Sequence, residues 1–326
     1  MASQNPQTGA TGSTQVYRSD VDFFEPTPLS SKPNAIRLLT ILPDLTNAGL
    51  IQCNIRHATT DADYTCLSYV WGAEAHQEII CINGKAFTCR KNLWDFLHVA
   101  RTKYAGTTKD FWIDAICINQ VSLPERNQQV GQMGNIYAKA TNVLATAEFL
   151  IFLSRLVAEG LPSEKDARRV WYREINTTLR RSYLDFEANE YWTRAWITQE
   201  ILTPKEMSIL ANETQIYRPE LEGLELLLPL LQASISEPVR KTFRESQRGA
   251  DRCFKLYVRA MAGCAMSYQW TGQAVEKRLF DLLFLLGPRQ CQVPRDRVYS
   301  LLSVADDANL VLHARARLHR ILGEVV

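Results

Sequence analysis

Glycine-rich phosphate loops are missing from this chain. Neither GxGxxG nor GxxxxGK[ST] occurs, so the two familiar backbone cradles for nucleotide phosphates are excluded. The eight cysteines contain no CxxC pair. Cys53 and His57 stand four apart, but no second such pair completes a zinc site, and no metal is expected. No histidine is spaced to activate a cysteine or serine, so no nucleophilic triad can be argued. Charge of one sign is lacking too, because the formal net charge is only +2. That leaves no global field for nucleic acid or an anionic membrane. The longest apolar patches, 149–157 and 224–231, are broken by Arg155 and Pro229 and fall short of the roughly 20 residues of a spanning helix. The opening MASQNPQTGATGSTQ has no apolar core of a secretory leader. These absences predict reduced thiols and a cytoplasmic protein without a transmembrane segment.

What remains is ordinary globular composition, 46% hydrophobic and 22% charged, over 326 residues. The most informative stretch is DFWIDAICINQVSLPERNQQVGQMGNIYAKATNVL, from Asp110 to Leu144. Phe111 to Ile118 is apolar on both alternating faces except at Asp114, which predicts a central strand covered on two sides. Ser122 and Glu125 have capping-box spacing, Pro124 suits a first turn, and Val130, Met133, Ile136, Tyr137 and Ala140 form one helical face. Thr141 to Thr146 reads as the next strand. The result is a strand, helix, strand unit with polar groups where open α/β sheets bind ligands.

Upstream, Ala35–Leu42, Leu50–His57 and Tyr64–Trp71 read as strands, and Asn83-Gly84 marks a hairpin between Glu78–Ile82 and Lys85–Thr88. Asn92 is the expected cap of a helix bearing Leu93, Trp94, Leu97, Ala100 and Tyr104. Downstream, 149–159, 166–184, 190–202, 220–232, 280–286 and 296–304 read as helices, with a short strand over 206–210. Residues 1–34 are expected to be a disordered tail, 35–210 the main domain, and 211–326 a mainly helical extension.

Each candidate site residue has a plainer reading beside its functional one. Asp114 is a ligand-binding or catalytic carboxylate, or a structural one satisfied by loop amides. Ser68, Trp71 and Gly72 end a strand and would suit a flat ring and a close backbone approach, or else core and turn. Glu200 lies one helical turn beyond Trp196, where an aromatic neighbour can raise a carboxyl pKa, or it is simply solvated. The row Arg240, Arg244, Arg248 and Arg252 could meet phosphates, or form a solvated face.

Taken together, YTCLSYVWG, NLWDFL, FWIDAICINQ, PERNQQVGQMGNIYAKATNV and YWTRAWITQEI resemble successive motifs of the HET (heterokaryon incompatibility) domain of filamentous fungi. The resemblance covers residues 64–200 firmly. It implies a role in non-self recognition and programmed cell death, acting through self-association or a protein partner. It also implies a distant likeness to TIR domains, and so a TIR-like or flavodoxin-like, mainly parallel α/β sheet flanked by helices, with an N-terminal β-hairpin elaboration. Some TIR domains cleave NAD with a glutamate in a W-x-x-x-E pattern, matched here by Trp196 and Glu200. On that resemblance Glu200 is the catalytic candidate and NAD a candidate substrate. Ser68, Trp71, Gly72, Asp114, Asn119, Gln120, Arg126 and Trp196 are the candidate binding residues, with Arg126 facing a phosphate. No cofactor is implied beyond this. Where relatives continue with Trp-Leu-Gly, this chain has Ala145, Thr146 and Ala147.

Overall fold

The computed structural model describes residues 22–107, 109–146, 190–211, 213–217, 278–285, 290–291 and 294–309. The helices expected over 149–159, 166–184 and 220–232, and the arginine row, lie outside them. Nine strands make one mixed sheet, in the order β5-β4-β2-β1-β6-β3-β7-β8-β9. The strands are β1 Ala35–Leu45, β2 Ile51–Thr59, β3 Thr65–Tyr69, β4 Gln77–Ile82, β5 Lys85–Arg90, β6 Asp110–Trp112, β7 Asn142–Thr146, β8 Met207–Ala211 and β9 Thr214–Tyr217. The helices are α1 Lys91–Tyr104, α2 Asp114–Cys117, α3 Leu123–Lys139, α4 Ile197–Leu202, α5 Leu279–Leu285 and α6 Asp296–Leu302, with a 3-10 turn at Glu190–Thr193.

The sheet has two halves. Neighbours β6, β3, β7 and β8 are parallel. Beyond them, β1 pairs antiparallel with both β2 and β6, and β4 with β5. The sheet is therefore mixed rather than mainly parallel. The N-terminal hairpin β1–β2 lies within it, between β6 and β4.

Burial explains the parallel half. Every residue of β3 is buried, as expected of a strand covered on both faces. Phe111 packs edge-on against Phe96 of α1, while the next residue, Trp112, packs edge-on against Tyr137 of α3. Alternation along the strand thus puts α1 and α3 on opposite faces. The Asn83-Gly84 turn has positive φ at both residues, 49° and 80°, which suits the twist of a two-residue hairpin.

Four local expectations are corrected. The strand expected over Phe111–Ile118 stops at Trp112, and Asp114–Cys117 wind into one helical turn. An unbroken apolar run is buried equally well either way, so periodicity could not separate them. Helix α1 starts at Lys91 with no side-chain cap, because the Asn92 amide donates to the Val70 carbonyl instead. The helix expected over Glu190–Leu202 is broken at Arg194–Trp196. There the backbone of Thr193 and Ala195 is hydrogen-bonded to Gln290, 2.8 and 3.1 Å, which diverts it from a helical ladder. Finally, the segment from Asp22 to Leu29, placed in the tail by its composition, is docked. It pairs with Ala86 through two backbone bonds, and its Thr27 carbonyl accepts from Arg37.

Among the described residues, no helix is long and apolar enough to cross a membrane. Packing between α3 and α6 is close: a Cβ on Gly134 would stand 2.1 Å from that of Ser303.

Candidate functional site

Three groups of polar side chains meet at the carboxyl edge of the parallel strands. The first centres on Glu200. Its carboxylate accepts from Ser68 Oγ at 2.5 Å and from both terminal nitrogens of Arg194 at 2.9 and 3.1 Å. Ser68 Oγ also lies 2.6 Å from the Tyr191 hydroxyl. Glu200 is 2% exposed. Ser68 points from β3 toward α3, and the chain break at Arg194 brings the guanidinium back onto α4. Both oxygens of Glu200 are thereby engaged, and its charge is neutralised by a forked pair. The burden on Arg194 is reciprocal. Burial opposes its charge, but Glu200, Tyr191 and Asp114 outweigh that and raise its pKa above the ordinary value.

The second group is Asp114. Its Oδ2 accepts from the Trp71 indole at 2.9 Å, its Oδ1 from the Ala115 amide at 2.7 Å, and its carbonyl from the Gln120 amide at 2.9 Å. Burial pushes the Asp114 carboxyl from 3.8 up to about 6; the Trp71 hydrogen bond opposes the rise and the Glu200 charge adds to it. Asp114 is therefore a structural acceptor and a carboxylate poised near neutral pH at once.

That rise has a stability consequence. A carboxyl held above its unfolded value binds more protons in the folded state, so stability falls as pH rises from about 4 to about 6. The full effect of that shift is about 3 kcal/mol. Asp114→Asn should remove this slope while losing about 1 kcal/mol for one hydrogen bond. Urea midpoints measured at pH 4, 5, 6 and 7 check it: the wild type should weaken relative to the variant across that interval.

The third group is around Asp296, on α6. The Trp196 indole donates to it, burial raises its pKa, and Arg126 and Arg295 act on it as nearby positive charges. Arg126 also reaches the Gln120 carbonyl at 3.5 Å. The residues expected at one site thus divide: Ser68 with Glu200, Trp71 and Gln120 with Asp114, and Arg126 and Trp196 with Asp296. Asn119 turns the loop into α3, its Oδ1 accepting from Val121 and Ser122 at 3.1 and 3.2 Å. Gly72 has φ +80° and leaves room for Asn92, whose side chain a Cβ would meet at 2.9 Å.

Half of the expected capping box forms. Ser122 accepts from the Glu125 amide at 3.5 Å, but the Glu125 carboxylate turns away to Arg37. Arg37, Arg90 and Tyr191 were missed by sequence reasoning, and Arg194, which stands beside the Trp196–Glu200 pattern, was not expected to bond Glu200. Arg194 lies six residues before Glu200, which is not a helical contact spacing, so only the backbone break reveals the pair.

A cavity of about 560 Å³ opens beside Asp114, on the face of β3 opposite Ser68. Tyr69, Trp71, Phe87, Arg90 and the docked N-terminal segment contribute to its walls. Glu200 and Ser68 do not line it.

Residues 64–200 match the family described as heterokaryon incompatibility protein (HET). That region is similar to the HET family, and it makes up less than half of the chain. The chain is also 24% identical over 343 aligned positions to heterokaryon incompatibility protein 6, OR allele, of Neurospora crassa. That alignment covers 88% of this chain and 49% of the relative, so the chain spans about half the relative's length. No solved structure matches. The matched HET domain runs from the residue before β3 to Glu200 itself, and so encloses the Ser68–Glu200 contact and Asp114.

Proposed function

We propose that this chain acts in fungal heterokaryon incompatibility, promoting death of the mixed cell after non-self contact, through self-association or recruitment of a protein partner. The observation that carries this is the HET match over residues 64–200, supported by the relative named for incompatibility. Regulated expression of the chain in a filamentous fungus tests it. Induction should cut colony-forming units, and the purified protein should grow in mass with concentration by light scattering. Unchanged viability with folded protein accumulating would sink the reading.

A second reading has its own support: the chain cleaves the nicotinamide–ribose bond of NAD. The parallel strands β6, β3, β7 and β8 read 2-1-3-4 by order of appearance, the order also found in flavodoxin-like sheets. In such sheets ligands enter where the order reverses, here between β3 and β7. Glu200 sits there on Ser68, four residues after Trp196. In this reading Glu200 stabilises the oxocarbenium-like carbon as the C–N bond breaks and nicotinamide leaves. Water then bonds to that carbon and gives up a proton, with Asp114 as the acceptor. Arg194 must release Glu200 for this to happen. Nicotinamide release by the wild type, lost in Glu200→Gln, would support it; no release from concentrated, folded protein would exclude it.

A further inference from the structure

The cavity lies beside Asp114 but is lined by neither Glu200 nor Ser68. Two of its walls are aromatic. Phe24 and Phe87 meet edge to face at 6.3 Å between ring centres, and Trp71 carries the Arg90 guanidinium 5.2 Å above its ring. Neither partner of that stack is free to swing. The indole is tied to Asp114 at 2.9 Å, and Arg90 to the Gly72 carbonyl at 2.8 Å and to Glu74 at 2.6 Å. A fixed guanidinium–indole pair extends a flat, polarisable surface on which heteroaromatic rings stack.

Polar groups on the remaining wall suit the edge of such a ring. Asn119 and Gln120 line the cavity. Oδ1 of the first and Nε2 of the second are committed to backbone groups. Their remaining amide nitrogen and amide oxygen offer a donor and an acceptor to a ligand. We propose that this cavity binds a flat heteroaromatic ring of the nucleobase type, stacked on the aromatic walls and read at its edge by the two amides. An acyl chain would bring no partners for the guanidinium and amides. A peptide strand would need the β5 edge at Ala86, where both backbone groups already bond to Asp22 and Phe24. The volume suits a small ligand.

The N-terminal segment completes the site. Phe24, Glu25 and Pro26 form one wall, held on one side by Ala86 and on the other by Arg37 at the Thr27 carbonyl. The binding site thus exists only with this segment docked.

Calorimetric titration of the full chain with adenosine tests the proposal. Adenosine is also part of NAD, so the Glu200→Gln variant is what separates this cavity from a site at Glu200. Saturable one-to-one binding is expected, weakened tenfold or more by Phe87→Ala and by Arg90→Ala, and unchanged in Glu200→Gln. Ala115→Phe, which places a ring in the cavity from its floor, should abolish binding with the circular dichroism spectrum retained. Should that variant misfold, Phe87→Ala alone decides. No saturable heat with adenosine, guanosine, cytidine or uridine would overturn the proposal, as would adenosine binding that Phe87→Ala leaves intact or Glu200→Gln destroys.

Discussion

Replacing Arg194 with alanine should destabilise the fold by about 3–5 kcal/mol, the usual cost of leaving a buried carboxylate without its partner. Urea denaturation followed by tryptophan fluorescence reads the loss. Glu200 is 2% exposed, and with Arg194 gone its 2.5 Å bond from Ser68 is the contact left among those described above. One hydroxyl cannot replace a guanidinium that supplies two charge-assisted bonds. The double variant Arg194→Met/Glu200→Gln should recover most of the stability, because neither replacement buries a charge. A single variant as stable as the wild type would mean that Glu200 finds water or a proton, and that the pocket is open. The same experiment bears on chemistry. An NAD-cleaving role for Glu200 requires the pair to separate, so a deeply stabilising pair would describe a resting state rather than a working one.

Arg37→Met should cost a similar amount, about 3–5 kcal/mol, and should also free the N-terminal segment. The Arg37 side chain is 1% exposed. It donates to Glu125 at 2.6 and 2.9 Å, to the Cys117 carbonyl at 3.0 Å, and to the Thr27 carbonyl at 2.5 and 3.2 Å. One cation therefore joins β1, the end of α2, the start of α3 and the docked segment. Limited proteolysis should cut the variant within residues 22–30 well before the wild type. Acidity separates the ion pair from mere packing. Burial opposes ionisation of Glu125, but its bonds from Arg37 and the Asn119 amide win, and its pKa falls below the ordinary 4.5. The pair's contribution is then present above about 4.5 and lost as pH drops through the folded value. The stability gap between wild type and Arg37→Met should be full at neutral pH and narrow as pH falls through the folded Glu125 value, below the ordinary 4.5.

Much of the scaffold was legible before any coordinates. The Asn83-Gly84 hairpin, the α3 face carrying Met133, Ile136 and Tyr137, and strand β7 all follow from local patterns whose physical cause is short-ranged. Turn residues accept positive φ, and helices bury one stripe. The errors fall where a distant partner overrules local preference. Asn92 abandons its cap for Val70, Glu125 abandons its half of the capping box for Arg37, and the helix at Arg194 breaks to pair with Gln290.

The candidate site divides along the same line. Asp114 could be singled out because a charge in an apolar run is costly unless something compensates it. Ser68, by contrast, entered as a strand-end residue and Glu200 through the pattern it forms with Trp196. Sequence by itself determined the HET motifs, the α/β unit from β6 to β7, and that Asp114 requires partners. Only the tertiary structure decided what the partners are: Arg194 for Glu200, the Trp71 indole for Asp114, Asp296 for Trp196. It alone decided that the sheet is mixed and that an N-terminal segment walls a cavity. The reason is physical. Periodicity and turn chemistry act over a few residues of chain, whereas compensating a buried charge depends on distance in space, and spacings such as 68 to 200 leave no local trace.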